Sequence, residues 1–75
     1  MPNVRPAISF IGFGEAGQAI AAGLHETGVD HMSAWDILLP QREGEKLRQA
    51  GGASGVRCAS SAADAVREAD LIISA

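Results

Sequence analysis

A glycine pattern directly after a short apolar run constrains this chain more than any other feature. Residues 7–11 are nearly all apolar, and the hexapeptide GFGEAG, residues 12–17, follows at once. A run this short, with Pro6 before it and a glycine after it, predicts a strand buried on both faces. The G-x-G-x-x-G spacing between a strand and a helix is typical of a turn whose backbone approaches a phosphate closely.

A helical pattern follows the glycines. We expect a helix over residues 15–27, because small and apolar residues recur there at steps of three and four, and Gly28 is a plausible C-terminal stop. The expected inward stripe consists of Ala16, Ala19, Ile20, Gly23 and Leu24.

The rest of the chain alternates between short apolar runs and helical patterns. A second strand is expected within residues 30–36, and a helix over residues 41–50, with Pro40 suited to its first turn and Gly51-Gly52 as its end. A third strand at 56–59, a short helix at 62–68 with a capping-box-like Ser61 and Asp64, and a fourth buried strand at 71–75 complete the series. This alternation implies parallel strands joined by right-handed crossovers.

Composition narrows the class of protein. The chain has 75 residues, 47% of them hydrophobic, and a formal net charge of −3 with its basic residues scattered, so we expect no nucleic-acid partner and no membrane partner. The single cysteine, Cys58, excludes an internal disulfide framework and favours the cytoplasm. Four parallel strands and three helices would leave apolar faces uncovered, so we expect an N-terminal piece of a larger protein.

Each glycine of the hexapeptide has a predicted physical role. Gly12 would let the chain turn sharply off the strand, and Gly14, which lacks a β-carbon, would let a pyrophosphate approach the backbone. Gly17 would let the helix pack tightly on the strand, and free backbone N–H groups with the helix dipole would favour the phosphates. The cofactor-binding residues predicted in this turn are Gly12, Phe13, Gly14, Glu15, Ala16 and Gly17.

An acidic residue, Asp36, ends the second expected strand, 19 residues past Gly17. This is the spacing at which a carboxylate accepts hydrogen bonds from the adenosine ribose hydroxyls of a dinucleotide. The same carboxylate would repel a 2′-phosphate, which favours NAD over NADP, although NADP stays possible. The alternative is that the glycines only form a tight turn and Asp36 only ends a strand. No residue pattern indicates a catalytic group or a metal site.

Two segments resemble a known family. Residues 8–17 and 68–74, together with the small-residue helix, resemble the N-terminal domain of the β-hydroxyacid dehydrogenases, which include 6-phosphogluconate and 3-hydroxyisobutyrate dehydrogenases. The sequence is most similar to a bacterial branch described as phosphogluconate dehydrogenase-like, NAD-binding. Ala16 stands where the family often has methionine. Asp36-Ile37-Leu38 stands where phosphogluconate dehydrogenases often have Asn-Arg-Thr.

The resemblance implies a Rossmann-type doubly wound parallel sheet with strand order 3-2-1-4 and a cofactor crevice between the first and fourth strands. Ser74 would then reach toward the nicotinamide half of the cofactor. The complete protein would transfer a hydride between a nicotinamide cofactor and a β-hydroxyacid. Its catalytic residues and a helical substrate and dimerisation domain would follow this chain, and a homodimer is expected.

Three other interpretations stay open at the level of sequence. One is a related reductase with the same fold, of the pyrroline-carboxylate or prephenate type. A second is a non-catalytic module that binds a dinucleotide to sense redox state. A third is a stand-alone α/β module whose glycines are structural only.

Overall fold

The computed structural model describes residues 6–75 and contains four strands and three helices in strict alternation. In chain order they are β1 (Ala7–Ile11), α1 (Glu15–Glu26), β2 (His31–Trp35), α2 (Gly44–Ala53), β3 (Val56–Cys58), α3 (Ala62–Val66) and β4 (Leu71–Ser74). The strands form one parallel sheet in the order β3-β2-β1-β4. The predicted Rossmann-type architecture and strand order are therefore confirmed.

The first strand is central and pairs on both sides. Ile8 lies in register with Met32 of β2 and Leu71 of β4. Ile8, Ser9 and Phe10 are all buried, so β1 has no solvent-exposed face over its middle three residues, as predicted. Successive side chains of a strand point to opposite faces of the sheet. Because both faces of this central strand are covered, nearly all of its side chains are apolar.

The main hydrophobic core lies on one face of the sheet. Alternate residues of the strands contribute Ile8, Phe10, Met32, Ala34 and Val56, and residues outside the strands add Phe13, Ala21, Leu39 and Leu47. The opposite face carries Ser9 and Ser33, which contact α3. Because the bulk of the apolar side chains lies on one face, that face holds the sheet to α1, α2 and the loop after β1.

The predicted inward stripe of α1 is wrong for four of its five members. Ala16, Ala19, Ile20 and Gly23 are exposed, and only Leu24 packs against the core. The buried positions of α1 are Gly17 and Ala21. Gly17 faces inward because it abuts the turn after β1, and Ala21 and Leu24 follow it at the helical spacing.

The second helix starts later and ends later than predicted. Residues 37–43 form turns, so Pro40 precedes the helix instead of starting it. Gly44 is the first residue of α2, and a β-carbon there would collide with the backbone of Leu39. The helix also continues through Gly51, where a β-carbon would lie 3.1 Å from the carbonyl oxygen of Val56. Close packing against β3, and not helix termination, therefore explains that glycine.

The third helix begins at the predicted cap. The Ser61 hydroxyl accepts a hydrogen bond from the backbone N–H of Asp64 at 3.0 Å, and the helix ends at Val66, two residues before the expected end. The fourth strand differs more from its prediction. Leu71 and Ile72 are about half exposed, because β4 is the edge of the sheet and is not buried on both faces.

Two serine hydroxyls connect the sheet to α3. Ser9 Oγ and Ser33 Oγ, neighbours in register, each lie 2.8 Å from the carbonyl oxygen of Ala65. Ser9 is fully buried, and the carbonyl belongs to the last turn of α3, where helix carbonyls lack intrahelical donors. The two hydroxyls therefore satisfy a buried acceptor redundantly.

We predict that this redundancy is measurable in a double-mutant cycle. Ser9→Ala and Ser33→Ala should each lower the free energy of unfolding by about 1 kcal/mol or less, since the other hydroxyl still donates to Ala65. The double variant should lose about 1 kcal/mol more than the sum, because the carbonyl then has no donor. Urea unfolding measures all three, and strict additivity would contradict the shared role.

Candidate functional site

Three chain segments meet at the carboxyl edge of the sheet. The loop of residues 12–14 follows β1, Asp36 follows β2, and Ala75 follows β4. Backbone hydrogen bonds connect them: Gly12 N–H donates to Trp35 C=O at 2.8 Å, and Ala75 N–H donates to Ile11 C=O at 3.0 Å. Ligands of open parallel sheets bind outside the carboxyl ends of the strands, at the point where the strand order reverses.

The first and third glycines are required by their surroundings. Gly12 has φ +94°, in the left-handed region, and a β-carbon on it would collide with the carbonyl oxygen of Ala75. A β-carbon on Gly17 would lie 2.9 Å from the carbonyl oxygen of Gly12. The predicted sharp turn at Gly12 is therefore confirmed, and Gly17 lets α1 pack against that turn. The contact of both glycines with a ligand stays a prediction.

The second glycine differs because it faces open space. Gly14 is the exposed N-cap of α1, and no heavy atom would lie within 4 Å of a β-carbon built on it. Its φ of −78° is accessible to any residue, so the backbone alone does not require glycine there. The absence of a side chain keeps the backbone at the start of α1 accessible from solvent.

The start of α1 leaves donors unpaired. The first N–H with a helical partner is that of Gln18, which donates to Gly14 C=O at 2.9 Å. Within residues 6–75, no acceptor is paired with the backbone N–H groups of residues 14–17, and no side chain caps the helix. Four free N–H groups at the positive end of a helix dipole favour an anion such as a phosphate.

Phe13 anchors the loop through its ring, its carbonyl and its N–H group. Its ring is fully buried, with a centroid 5.9 Å from that of the Phe10 ring. Its carbonyl accepts a hydrogen bond from Gln18 Nε2 at 2.9 Å, and its N–H donates to Asp36. Phe13 therefore supports the loop from beneath, and Gln18 is a supporting residue that the motif alone did not indicate.

Asp36 contacts the loop directly. Its Oδ2 atom accepts a hydrogen bond from Phe13 N–H at 2.8 Å, and its Oδ1 atom accepts one from Leu38 N–H at 2.9 Å. The residue is half-buried, and each carboxylate oxygen keeps a further lone pair for another donor. The structure thus places Asp36 beside the glycine loop, where its predicted contact with a ribose stays a prediction.

The remaining predicted site residues lie around the same loop. Glu15 and Ala16 are exposed in the first turn of α1, where a carboxylate is favoured by the helix dipole. Ser74 is exposed at the end of β4 and lies in register with Ile11, the residue before the loop. All eight predicted residues are therefore gathered at one edge of the sheet.

The shifted pKa values belong to groups elsewhere. A hydrogen bond from Arg57 and one from the Ser60 backbone lower the pKa of Asp64, and burial raises the pKa of the Cys58 thiol. Across residues 6–75, no group of three or more His, Cys, Asp and Glu side chains is arranged to hold a metal ion. No helix in that part of the chain is long and apolar enough to cross a membrane.

A cavity of about 510 Å³ lies at the opposite, amino edge of the sheet. Its lining includes the starts of β1 and β2 and residues of α3, and two of its charged residues, Arg57 and Asp64, form an ion pair at 3.0 Å. It contains none of the predicted site residues. The glycine loop is the candidate site, because unpaired N–H donors follow it and Gly14 borders open space.

The sheet order, the glycine loop and the acidic residue after β2 together define a Rossmann-type nucleotide-binding domain. Comparison with known families agrees: residues 7–75 match the family described as NADP oxidoreductase, coenzyme F420-dependent. The chain belongs to this family of NAD(P)-dependent oxidoreductase domains.

Structural comparison gives a similar protein of unassigned role. A conserved hypothetical protein from Sinorhizobium meliloti 1021 superimposes with a TM-score of 0.86 at 31% sequence identity, over 97% of the present chain. The present chain spans 24% of that protein's length. No curated protein matches the chain.

The different surroundings of the first two glycines predict different effects on stability. Gly12→Ala should lower the free energy of unfolding by about 2 kcal/mol or more, because of the left-handed backbone and the Ala75 carbonyl. Gly14→Ala should cost less than about 1 kcal/mol, the modest penalty of alanine at an N-cap. Urea unfolding of both variants tests this, and equal losses would contradict the loop geometry.

Proposed function

We propose that this chain is the dinucleotide-binding part of an oxidoreductase that transfers a hydride between a nicotinamide cofactor and a β-hydroxyacid-type substrate. One observation carries the cofactor half of the proposal. The N–H groups of residues 14–17 are unpaired within the described chain, and the space beside Gly14, the exposed N-cap of the same helix, is open. This is the arrangement that a diphosphate requires, because its oxygens accept several hydrogen bonds at once.

Each residue of the loop then has a separate task. Gly14 leaves room for the diphosphate, and the free N–H groups of the first turn donate to its oxygens. Gly12 and Gly17 allow the turn that brings those groups together. The nicotinamide ring of the bound cofactor supplies the hydride chemistry. Ser74, at the end of β4, is proposed to face the nicotinamide half.

Asp36 supports NAD as the preferred cofactor. Its carboxylate would accept hydrogen bonds from the adenosine ribose and would repel a 2′-phosphate. The side chains after it offer a 2′-phosphate no positive charge: Ile37 and Leu38 are exposed and apolar, and the first cation is Arg42. The family description names NADP, so NADP is the alternative cofactor.

The substrate class rests on sequence resemblance. Residues 8–17 and 68–74 resemble the β-hydroxyacid dehydrogenases, and this resemblance implies that the catalytic residues follow the segment given by residues 1–75. We therefore propose that the catalytic residues, the remainder of the nucleotide-binding domain and a helical dimerisation domain lie outside residues 1–75. A cytoplasmic homodimer is the proposed form of the complete protein.

The family match favours a second candidate, an oxidoreductase that exchanges a hydride between NADP and coenzyme F420. The Asp36 carboxylate beside the loop argues against it, because this candidate needs NADP. A dinucleotide-binding redox sensor is a third possibility. Cofactor binding by the complete protein without turnover of any β-hydroxyacid or coenzyme F420 would favour the sensor.

We predict that Gly14→Ala weakens NADH binding by about 1 kcal/mol or more, because the added methyl group occupies the path of the diphosphate. Titration of NADH fluorescence measures the change. Gly23→Ala is the matched control, since it adds the same methyl group to open space on the exposed side of the same helix. Equal NADH affinities of Gly14→Ala and Gly23→Ala would refute the proposed position of the diphosphate.

We also predict that Asp36→Ala narrows the preference for NADH over NADPH by about tenfold, because the carboxylate that accepts from the ribose and repels the 2′-phosphate is lost. Parallel titrations of NADH and NADPH measure the ratio of dissociation constants. Asp70→Ala removes the same charge from the opposite edge of the sheet and should leave the ratio unchanged. A wild-type preference for NADPH would favour the second candidate.

A further inference from the structure

We infer that Asp36 is also a positioning residue, which holds the glycine loop in the shape that accepts a diphosphate before any cofactor binds. The inference rests on the proposed dinucleotide function and deepens it. Asp36 would then act on the diphosphate through Phe13, in addition to its proposed contact with the ribose. The evidence is the hydrogen bond between Asp36 Oδ2 and Phe13 N–H at 2.8 Å.

The hydrogen bond from Phe13 N–H to Asp36 lies in the middle of the glycine loop, so it affects the conformation of the whole loop. Phe13 lies between Gly12, whose φ is +94°, and Gly14, which caps α1. The buried ring fixes the Phe13 side chain, and Gln18 fixes its carbonyl. The N–H group is the other polar backbone group of Phe13, and Asp36 is its acceptor. Without that acceptor, a half-buried N–H would lose its partner, and the loop would gain freedom to rotate.

The carboxylate itself is held in place. Its second oxygen accepts from Leu38 N–H at 2.9 Å, two residues along the chain, which is an Asx turn. This local bond orients Asp36 toward the loop without help from a ligand. Each oxygen has used one of its two lone pairs, so the outer lone pairs stay available for ribose hydroxyls.

Cofactor choice and loop shape are therefore coupled through one side chain. A 2′-phosphate that displaced Asp36 would meet charge repulsion and would also release Phe13 N–H. If Asp36 only contacted the ribose, its removal would leave the binding of a bare diphosphate unchanged or would strengthen it, because a negative charge is lost. If Asp36 positions the loop, its removal weakens that binding. The two roles thus predict different changes in diphosphate affinity when Asp36 is removed: a loss of affinity if Asp36 positions the loop, and no loss if it only contacts the ribose.

Inorganic pyrophosphate is the probe that separates these roles, because it has no ribose. Its affinity is measured by calorimetry for the wild type, Asp36→Ala and Asp36→Asn. Amide hydrogen exchange of Phe13 in the free protein gives a second readout. Asp70→Ala is the matched control, since Asp70 Oδ2 also accepts a backbone N–H, that of Ala7 at 2.9 Å, at the other edge of the sheet.

We expect Asp36→Ala to weaken pyrophosphate binding by about tenfold and to accelerate Phe13 exchange by about tenfold or more, relative to core amides such as that of Phe10. Asp36→Asn removes the charge but keeps an oxygen acceptor, so it should bind pyrophosphate more tightly than Asp36→Ala. Asp70→Ala should change neither quantity. Unchanged or tighter binding by Asp36→Ala, or equal values for the Ala and Asn variants, would overturn the positioning role.

The outcome is distinguishable from failure of the proposed function. Wild-type protein that binds neither NADH nor pyrophosphate would refute the dinucleotide proposal. Phe13 exchange would then still decide whether Asp36 holds the loop. General unfolding by the substitution would accelerate exchange at Phe10 as well as at Phe13. Exchange that rises equally at both positions in both Asp36 variants would also overturn the inference.

Discussion

The close approach of β4 to the turn after β1 is the constraint on which the candidate site depends. The Ala75 carbonyl occupies the volume that a β-carbon of residue 12 would need, so only glycine allows the two strand ends to meet. Gly12 in turn directs the chain so that its own carbonyl abuts Gly17, which places the start of α1 over the sheet edge. This packing places the unpaired N–H groups of the first helical turn at the site.

Buried and exposed parts of the loop have different physical duties. Phe13 secures the loop to the hydrophobic core with its ring and to Gln18 and Asp36 with its backbone. Gly14, one residue later, makes no side-chain contact and leaves open space. A rigid support beneath an open backbone surface lowers the entropy lost when an anion binds, because the donors are already arranged. The loop thus combines rigidity and access within three residues.

Much of this arrangement could be predicted from the sequence because local signals agreed with the global fold. The alternation of apolar runs and helical patterns predicted the parallel strands, and the glycine spacing with the position of Asp36 predicted the residues of the site. The strand order came from the resemblance to the β-hydroxyacid dehydrogenases. The face of α1 was predicted wrongly. The glycine motif placed Gly17 against the strand, but an equally regular stripe of small residues indicated another face, and in the structure Gly17 packs against Gly12 with Ala21 on the same side. The limits of α2 were also predicted wrongly, because Pro40 and Gly51 were interpreted as local start and stop signals. In the structure residues 37–43 form turns, and Gly51 packs within the helix against the backbone of Val56. The bond from Phe13 to Asp36 joins residues 23 apart and has no local sequence signal.

The exposed edge of β4 has a practical consequence for handling the chain. Leu71 and Ile72 present apolar side chains to solvent, and within the described residues β4 pairs on one side only, with β1. An uncovered strand of this kind can add a strand from a neighbouring molecule, since its outward N–H and C=O groups seek partners. Self-association of the 75-residue chain would therefore increase with its concentration. A segment that covered β4 would prevent this association in addition to completing the sheet.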